Sequence, residues 1–431
     1  MPKKLIKARI LHFIDQNDTQ ASNYEYFPEG GLLIDDGIIE QCGSLSSILP
    51  MMSEEVSIID YSDQLIIPGF IDTHLHYPQI DVIASPGKNL LDWLERFTFP
   101  SEAKYQHRDW SLQSSEFFLE ELLRNGTTSA LVFGTVHSES ADALFTTAFE
   151  RNFRLLTGKV AMDRNCPDYL QDTPESSYED ALELINKWHL KGRLQYAITP
   201  RFAITSSEAQ LEKMAELARL YPEMVIQTHL AENVDEVAWM KELFPKHRSY
   251  LDVYDQYGLL RPNSVYAHCI YLDELDIARL QTTKSSIAFC PTSNLFLGSG
   301  LMNLQHYTSQ QIQVALATDI GGGTSFSMLK TMGRAYEVAH LRGDVLSAFD
   351  LFYLATLAGA KALGIDRSVG NFIPGKEADF IVLDLKATPL MERRIGICQS
   401  LEEELFVALI LGDDRNIQAT YLMGEKKYQR Q

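Results

Sequence analysis

Cysteine is scarce in this chain, and the five present (Cys42, Cys166, Cys269, Cys290 and Cys398) are scattered with no CxxC pair. That spacing indicates neither a disulfide framework nor a thiolate zinc cluster, and a reducing cytoplasm is the simplest home. No window approaches the roughly 18 uncharged apolar residues that a membrane span requires. The opening MPKKLIKARILHF is basic and then apolar, but Lys7 and Arg9 break the apolar run. It is expected to be a strand, not a signal peptide. Basic residues are also few: 38 Lys and Arg face 58 Asp and Glu, for a net charge of -20. This balance argues against tight nonspecific binding to nucleic acid and against docking on anionic lipid, since both need clustered cations. There is no GxGxxG phosphate cradle, no short-period repeat and no low-complexity tract. What the chain does have is 45% hydrophobic and 22% charged residues, the balance of a globular protein with a sizeable core.

Both ends read as short β-strands. LIKARILHF, GGLLIDDGIIEQCG with an Asp36-Gly37 turn, and SIIDYSDQLIIPG lie at the start; EADFIVLDL and IQATYLMGEKKY, with a Gly424-Glu425 turn, lie at the end. The two ends are expected to unite as a small β-sandwich of residues 1–68 and 370–431, around a main domain of residues 69–369. That middle alternates short apolar runs with amphipathic stretches, the pattern of parallel strands covered by helices. Eight strand candidates stand out: LIIPGFID, TTSALVF, RLLTGKVAM, RLQYAIT, MVIQTHL, SVYAHC, SSIAFC and QVALATD. Helical stretches such as YEDALELINKWHL and SEAQLEKMAELARL separate them, the latter with Ser207 ahead of an acidic first turn. The expectation is an α/β fold, a TIM-type (β/α)8 barrel.

In such a barrel the reactive groups sit at the C-terminal ends of the strands. Strand one there offers Asp72, His74 and His76; strand four Arg201; strand five His229 with Glu232 behind it; strand six His268; strand eight Asp319. His74 and His76 are two apart, so both imidazoles lie on one face of an extended chain. With His229 and Asp319 they make a nitrogen and oxygen set suited to zinc or ferrous iron. An HxH pair alone is as consistent with ordinary strand histidines. Convergence of further polar groups from other strand ends is what favours a shared site, because burying them without a common purpose is costly. Gln79, Arg201 and Phe202 offer hydrogen bonds and an apolar surface to a flat ring, and Trp93 a wall. The other histidines read as surface or satisfied core, with His137 a weaker exception. Gly321-Gly322-Gly323 is expected to let backbone pass close to the site.

PGFIDTHLHYPQ, THLAE, AHC, CPTSNLFLGSG, ATDIGGGTSFSM, ATLAGAKALG and VGNFIPGKEADFIVLD resemble the amidohydrolase superfamily across essentially the whole chain, in its deaminase-type subset. Within that subset the chain is similar to the guanine deaminases, through Gln79 of HYPQ, WLERFTFPSE, FGTVH, MDRNCPDYL and TPRF. The resemblance implies hydrolysis of guanine to xanthine and ammonia in purine catabolism by a homodimer, with one Zn2+ (or Fe2+) per subunit on His74, His76, His229 and Asp319. One ion is expected because no lysine follows strand four to bridge two. It further implies that a metal-activated water attacks guanine C2 while Glu232 moves a proton to N3 and then to the departing amine. His268 stabilises the tetrahedral centre, and Asp319 takes the proton of the water. The base would touch His76, Gln79, Arg201, Phe202, His229, Glu232, His268 and Asp319. The other zinc deaminase design, HxE followed by PCxxC, is missing from the sequence. The readings in competition are a cytosine or triazine aminohydrolase and a non-catalytic barrel scaffold.

Overall fold

The computed structural model describes residues 3–14, 23–51 and 56–431. Four strands come first: β1 (Lys4–Phe13), β2 (Tyr24–Asp35), β3 (Ile38–Ser44) and β4 (Ser57–Pro68). Nine follow in the middle: β5 (Phe70–His76), β6 (Thr127–Phe133), β7 (Arg154–Gly158), β8 (Val160–Ala161), β9 (Leu194–Pro200), β10 (Val225–Leu230), β11 (Ser264–His268), β12 (Ser286–Phe289) and β13 (Val314–Leu316). The last three are β14 (Phe380–Leu383), β15 (Ile417–Leu422) and β16 (Glu425–Gln429).

The middle strands pair in parallel in the order β13-β12-β11-β10-β9-β7-β6-β5, with β8 set against β9. Backbone bonds bring the two edges of this sheet together: Asp319 N–H donates to His74 O, and His76 N–H to Ile320 O. The eight-stranded barrel expected from the apolar runs is therefore present. One buried cluster holds Ile71, Leu131, Leu156, Ala197, Val225, Val265, Ala288 and Ala317, one side chain from each strand or the residue just after it. Only the interior of a closed barrel is shared by all eight strands, so this is its core. The helix Leu357–Ala362 packs Ala360 into the same cluster. It comes so close that a Cβ on Gly359 would stand 2.9 Å from Ile71 Cβ.

The terminal strands meet as expected, and their hydrogen bonds run through one seven-stranded mixed sheet, ordered β16-β15-β14-β4-β1-β2-β3. β14 lies antiparallel to β4, Phe380 facing Pro68, so the two ends of the chain are sewn together. Asp36 and Gly37, both with positive φ, make the tight turn between β2 and β3. Three local expectations need correction. LIIPGFID is not one strand: β4 carries LIIP in the terminal sheet, and the barrel strand starts at Phe70. RLLTGKVAM is split at Lys159 into β7 and β8. The final turn centres on Met423-Gly424, one residue earlier than Gly424-Glu425, and both central residues have positive φ.

Ser207 caps the helix Glu208–Leu220 by accepting from Gln210 N–H, as its sequence position foretold. Among the described residues no helix is long and apolar enough to cross a membrane. The five cysteines are all free thiols.

Candidate active site

The C-terminal ends of the barrel strands converge on one buried group of side chains. From β5 come His74 and His76, from β10 His229, from β11 His268, and from the turn after β13 Asp319; all are buried or nearly so. His76 Nε2 lies 3.1 Å from His229 Nε2. Asp319 Oδ1 is 3.3 Å from His74 Nε2 and 3.6 Å from His76 Nε2. Ligand atoms about 2.0–2.1 Å from a tetrahedral zinc stand roughly 3.3–3.4 Å apart, so these separations fit a set of donors around one ion.

The protonation states agree. Burial, followed by the repulsion of neighbouring imidazoles, holds His76 and His229 well below the ordinary histidine range, and burial lowers His74 despite its bond to Asp319. Neutral rings are what a metal requires. His229 Nδ1 lies 2.8 Å from Arg201 O, and a carbonyl can only accept, so the proton sits on Nδ1 and the Nε2 lone pair faces the cluster. Burial pushes Asp319 up, but the hydrogen bond and charge of His74, with His268, outweigh it and leave a carboxylate below its usual range.

Asp72 is not part of the ligand cluster. Its carboxyl accepts from Thr318 N–H (3.1 Å), Thr318 Oγ1 (2.5 Å) and His74 N–H (3.3 Å), tying the first strand to the last. Burial nevertheless raises it to about 7. Cys290, not singled out from the sequence, is buried within ligand reach of His74, His268 and Asp319. Burial drives its thiol well above the usual value, so it stays protonated, a poor donor.

Beside the cluster opens a cavity lined on its polar side by His76, Gln79, Arg201, His229, Glu232, His268 and Asp319, with Phe202 beside them. Leu90, Trp93, Leu94 and Leu297 supply the apolar walls. Every residue proposed from sequence as a base contact therefore lines one pocket, and Trp93 is a wall of it. His137 is not among the lining residues. Leu90, Trp93 and Leu94 belong to a run of short helical turns between Tyr77 and Gln106 that covers the end of the barrel.

Glu232 and His268 face each other, with Oε2 3.4 Å from Nε2. Burial raises Glu232 to about 7, against the attraction of His268. His268 is raised in turn: burial works against its charge, but Glu232 and Asp319 outweigh that. A carboxyl balanced near neutrality can both take and give a proton. Two residues of the segment CPTSNLFLGSG, given no role from the sequence, hold this pair. Ser299 Oγ donates to Glu232 Oε1 at 2.8 Å, and Asn294 Oδ1 lies 2.9 Å from His268 Nδ1. His268 and Asp319 also carry positive φ (72° and 51°), a strained conformation at the strand ends where the side chains must be aimed. Gly321 allows the close backbone approach foreseen for the triple glycine, since a Cβ there would fall 2.3 Å from Gln79 O.

Residues 65–426 match the model of the amidohydrolase family. The chain belongs to that family. Among curated relatives, the guanine deaminase of Escherichia coli (strain K12) is 52% identical over 98% of this chain and 96% of its own length. A solved structure of E. coli guanine deaminase superimposes with a TM-score of 0.97 at 50% identity, over 99% of this chain and all of that one. A second, guanine deaminase from C. acetobutylicum with guanine bound in its active site, gives 0.89 at 31% identity, over 99% and 100%. The likeness to E. coli guanine deaminase thus covers both the barrel and the terminal sheet. The strand-end cluster falls where that architecture gathers chemistry.

Proposed function

We propose that this protein is a guanine deaminase, hydrolysing guanine to xanthine and ammonia, with one zinc ion held by His74, His76, His229 and Asp319. The observation that carries the reading is that His76, His229 and Asp319 of that donor set, with His74 against Asp319 behind them, line one cavity together with Glu232, His268, Gln79, Arg201 and Phe202. The likeness to guanine deaminases over nearly the whole chain supports the same substrate. Nitrogen and carboxylate donors suit zinc, with ferrous iron the other candidate. Such an ion lowers the pKa of a water it binds and so supplies a nucleophile near neutral pH.

The chain's own groups do the rest. Asp319 receives the proton of the attacking water, and Glu232 carries one proton to N3 of the base, where xanthine keeps it, and then a second to the departing amine, so that the two protons of water end on N3 and in ammonia. His268, 3.4 Å from Glu232, faces the carbon under attack and stabilises the charge that develops there. Arg201 and Gln79 bond the polar edge of the base, while Phe202, Trp93 and Leu94 exclude water from its faces. In this reading the chemistry belongs to residues 69–369, with residues 1–68 and 370–431 as support, in a cytoplasmic homodimer. Sedimentation and cell fractionation test those last two points.

The deciding experiment measures ammonia release by zinc-loaded protein from guanine, adenine, cytosine and an amino-triazine, with metal quantified in parallel. Guanine is expected to be preferred by at least about 100-fold, as for sites whose buried donors go unpaired with the wrong ligand. Preference for cytosine or a triazine would move the protein to a different branch of its family. No turnover with full metal would return it to the scaffold reading.

A further inference from the structure

Behind the pocket lies a carboxylate that the proposed reaction does not use. Glu102 is 1% exposed, sits at the end of the short helix Phe99–Glu102, and lines no part of the cavity. Arg201 Nη1 donates to both of its oxygens, at 2.9 Å to Oε1 and 2.7 Å to Oε2. Gln79 Nε2 donates to Oε1 at 3.1 Å. On its other side, Gln79 Oε1 accepts from Gly321 N–H at 3.2 Å. The Arg201 guanidinium also lies over the Phe99 ring, 5.5 Å from its centre, so it is held from two directions.

The donor and acceptor count of this cluster is restrictive. A carboxylate can only accept and a backbone N–H can only donate, so one orientation of the Gln79 amide satisfies both neighbours and its flip satisfies neither. With its oxygen taken by Gly321 and one N–H taken by Glu102, the amide has one N–H left. Arg201 has Nη2 and Nε left, and a guanidinium never accepts. With Gln79 Oε1 turned onto Gly321, the groups these two residues keep free for the cavity are N–H donors: the second Gln79 N–H and Arg201 Nη2 and Nε.

We infer that Glu102 is a specificity-determining positioning residue: by locking the Gln79 amide and the Arg201 guanidinium, it fixes N–H donors along one edge of the pocket, selecting purines with an acceptor at C6. This rests on the guanine reading and extends it. A 6-oxo purine offers O6 and N7, two acceptors, to such an edge. A 6-amino purine sets N–H against N–H there, and the amide cannot turn to meet it because Glu102 and Gly321 forbid the flip. An unlocked glutamine would serve either base.

The test compares guanine with 2,6-diaminopurine, which carries the same leaving amine at C2 but an amine at C6, in wild type and Glu102→Gln. An amide at position 102 has one acceptor oxygen for three donors and an NH2 of its own, so the lock is lost while volume is kept. The ratio of kcat/KM for guanine to that for 2,6-diaminopurine should fall about tenfold or more, mainly through KM, with zinc content unchanged. A general structural role would lower both substrates alike; equal losses, or none, would overturn the inference. If the variant is not recovered folded and metal-loaded, Gln79→Met decides. It removes the locked amide without touching the buried pair, and an unchanged ratio there also overturns the idea. Should wild type release no ammonia from guanine, the substrate reading fails on its own, and calorimetric binding of 6-oxo against 6-amino purines by wild type and Glu102→Gln still tests the lock.

Discussion

At the scale of single residues, the division of labour between metal holding and proton transfer is open to separation. His229→Ala removes one of the three imidazoles proposed to hold the ion, and its Nε2 stands only 3.1 Å from that of His76. Zinc content by atomic absorption should fall to a small fraction of wild type, and ammonia release with it. Near-normal zinc together with normal turnover would contradict the proposed ligand set. Glu232→Gln should keep the zinc and bind the base yet lower kcat by about 100-fold, the range for losing a positioned proton shuttle. A kcat within a few fold of wild type would remove Glu232 from its role. Both residues were legible from sequence, because a strand-end position in a barrel is a statement about three-dimensional place. Glu102, Ser299 and Asn294 lie inside the segments WLERFTFPSE and CPTSNLFLGSG, yet nothing in those strings gave them a role. Each is an ordinary polar residue in a helix or turn, and what distinguishes it is burial against a partner remote in sequence, which periodicity does not encode.

At the scale of elements, the short helix Pro291–Phe296 and the turn after it act as one bracket, presenting Asn294 to His268 and Ser299 to Glu232. Asn294→Ala should free the His268 ring and reduce kcat by about tenfold while zinc content and melting temperature stay close to wild type. Unaltered kinetics would mean that burial alone fixes the ring. The eight apolar runs located the barrel because its strands are buried on both faces and read as continuous hydrophobic sequence. Their edges were harder. Pro68-Gly69 falls inside one apolar run, yet the chain passes there from the terminal sheet to the barrel, and hydrophobicity is the same on either side. The helical turns between Tyr77 and Gln106 were invisible as elements, since each spans only a few residues, too short for a helical period to register.

At the scale of the molecule, a buried ionic seam joins barrel to terminal sheet. Arg193 bonds Asp379 and, at 2.7 Å, Glu377, while Arg154 also bonds Glu377. Burial raises Asp379, but Arg193 and the Met423 N–H oppose this and favour its charged form. Asp379→Ala should destabilise the fold by about 2 kcal/mol, short of the ~3–5 kcal/mol for a fully orphaned buried charge because Glu377 still faces Arg193. Urea unfolding measures it. Turnover at low temperature should hardly change, the seam being at the opposite end of the barrel from the pocket; a lost kcat would show that the sheet sets the site's geometry.

The pairing of β4 with β14 also dictates an order of events during synthesis. β1 to β4 leave the ribosome first and can zip together, but the free edge of β4 has no partner until β14 has been made, after every barrel strand. Through all of that interval the nascent chain carries an open apolar strand edge, the kind of surface that recruits other chains. The last fifty or so residues thus serve as a clasp as well as a support. A ribosome that stalls ahead of Phe380 releases a polypeptide with all its candidate ligands and no cover for that edge, and its fate is expected to be aggregation or capture by a chaperone.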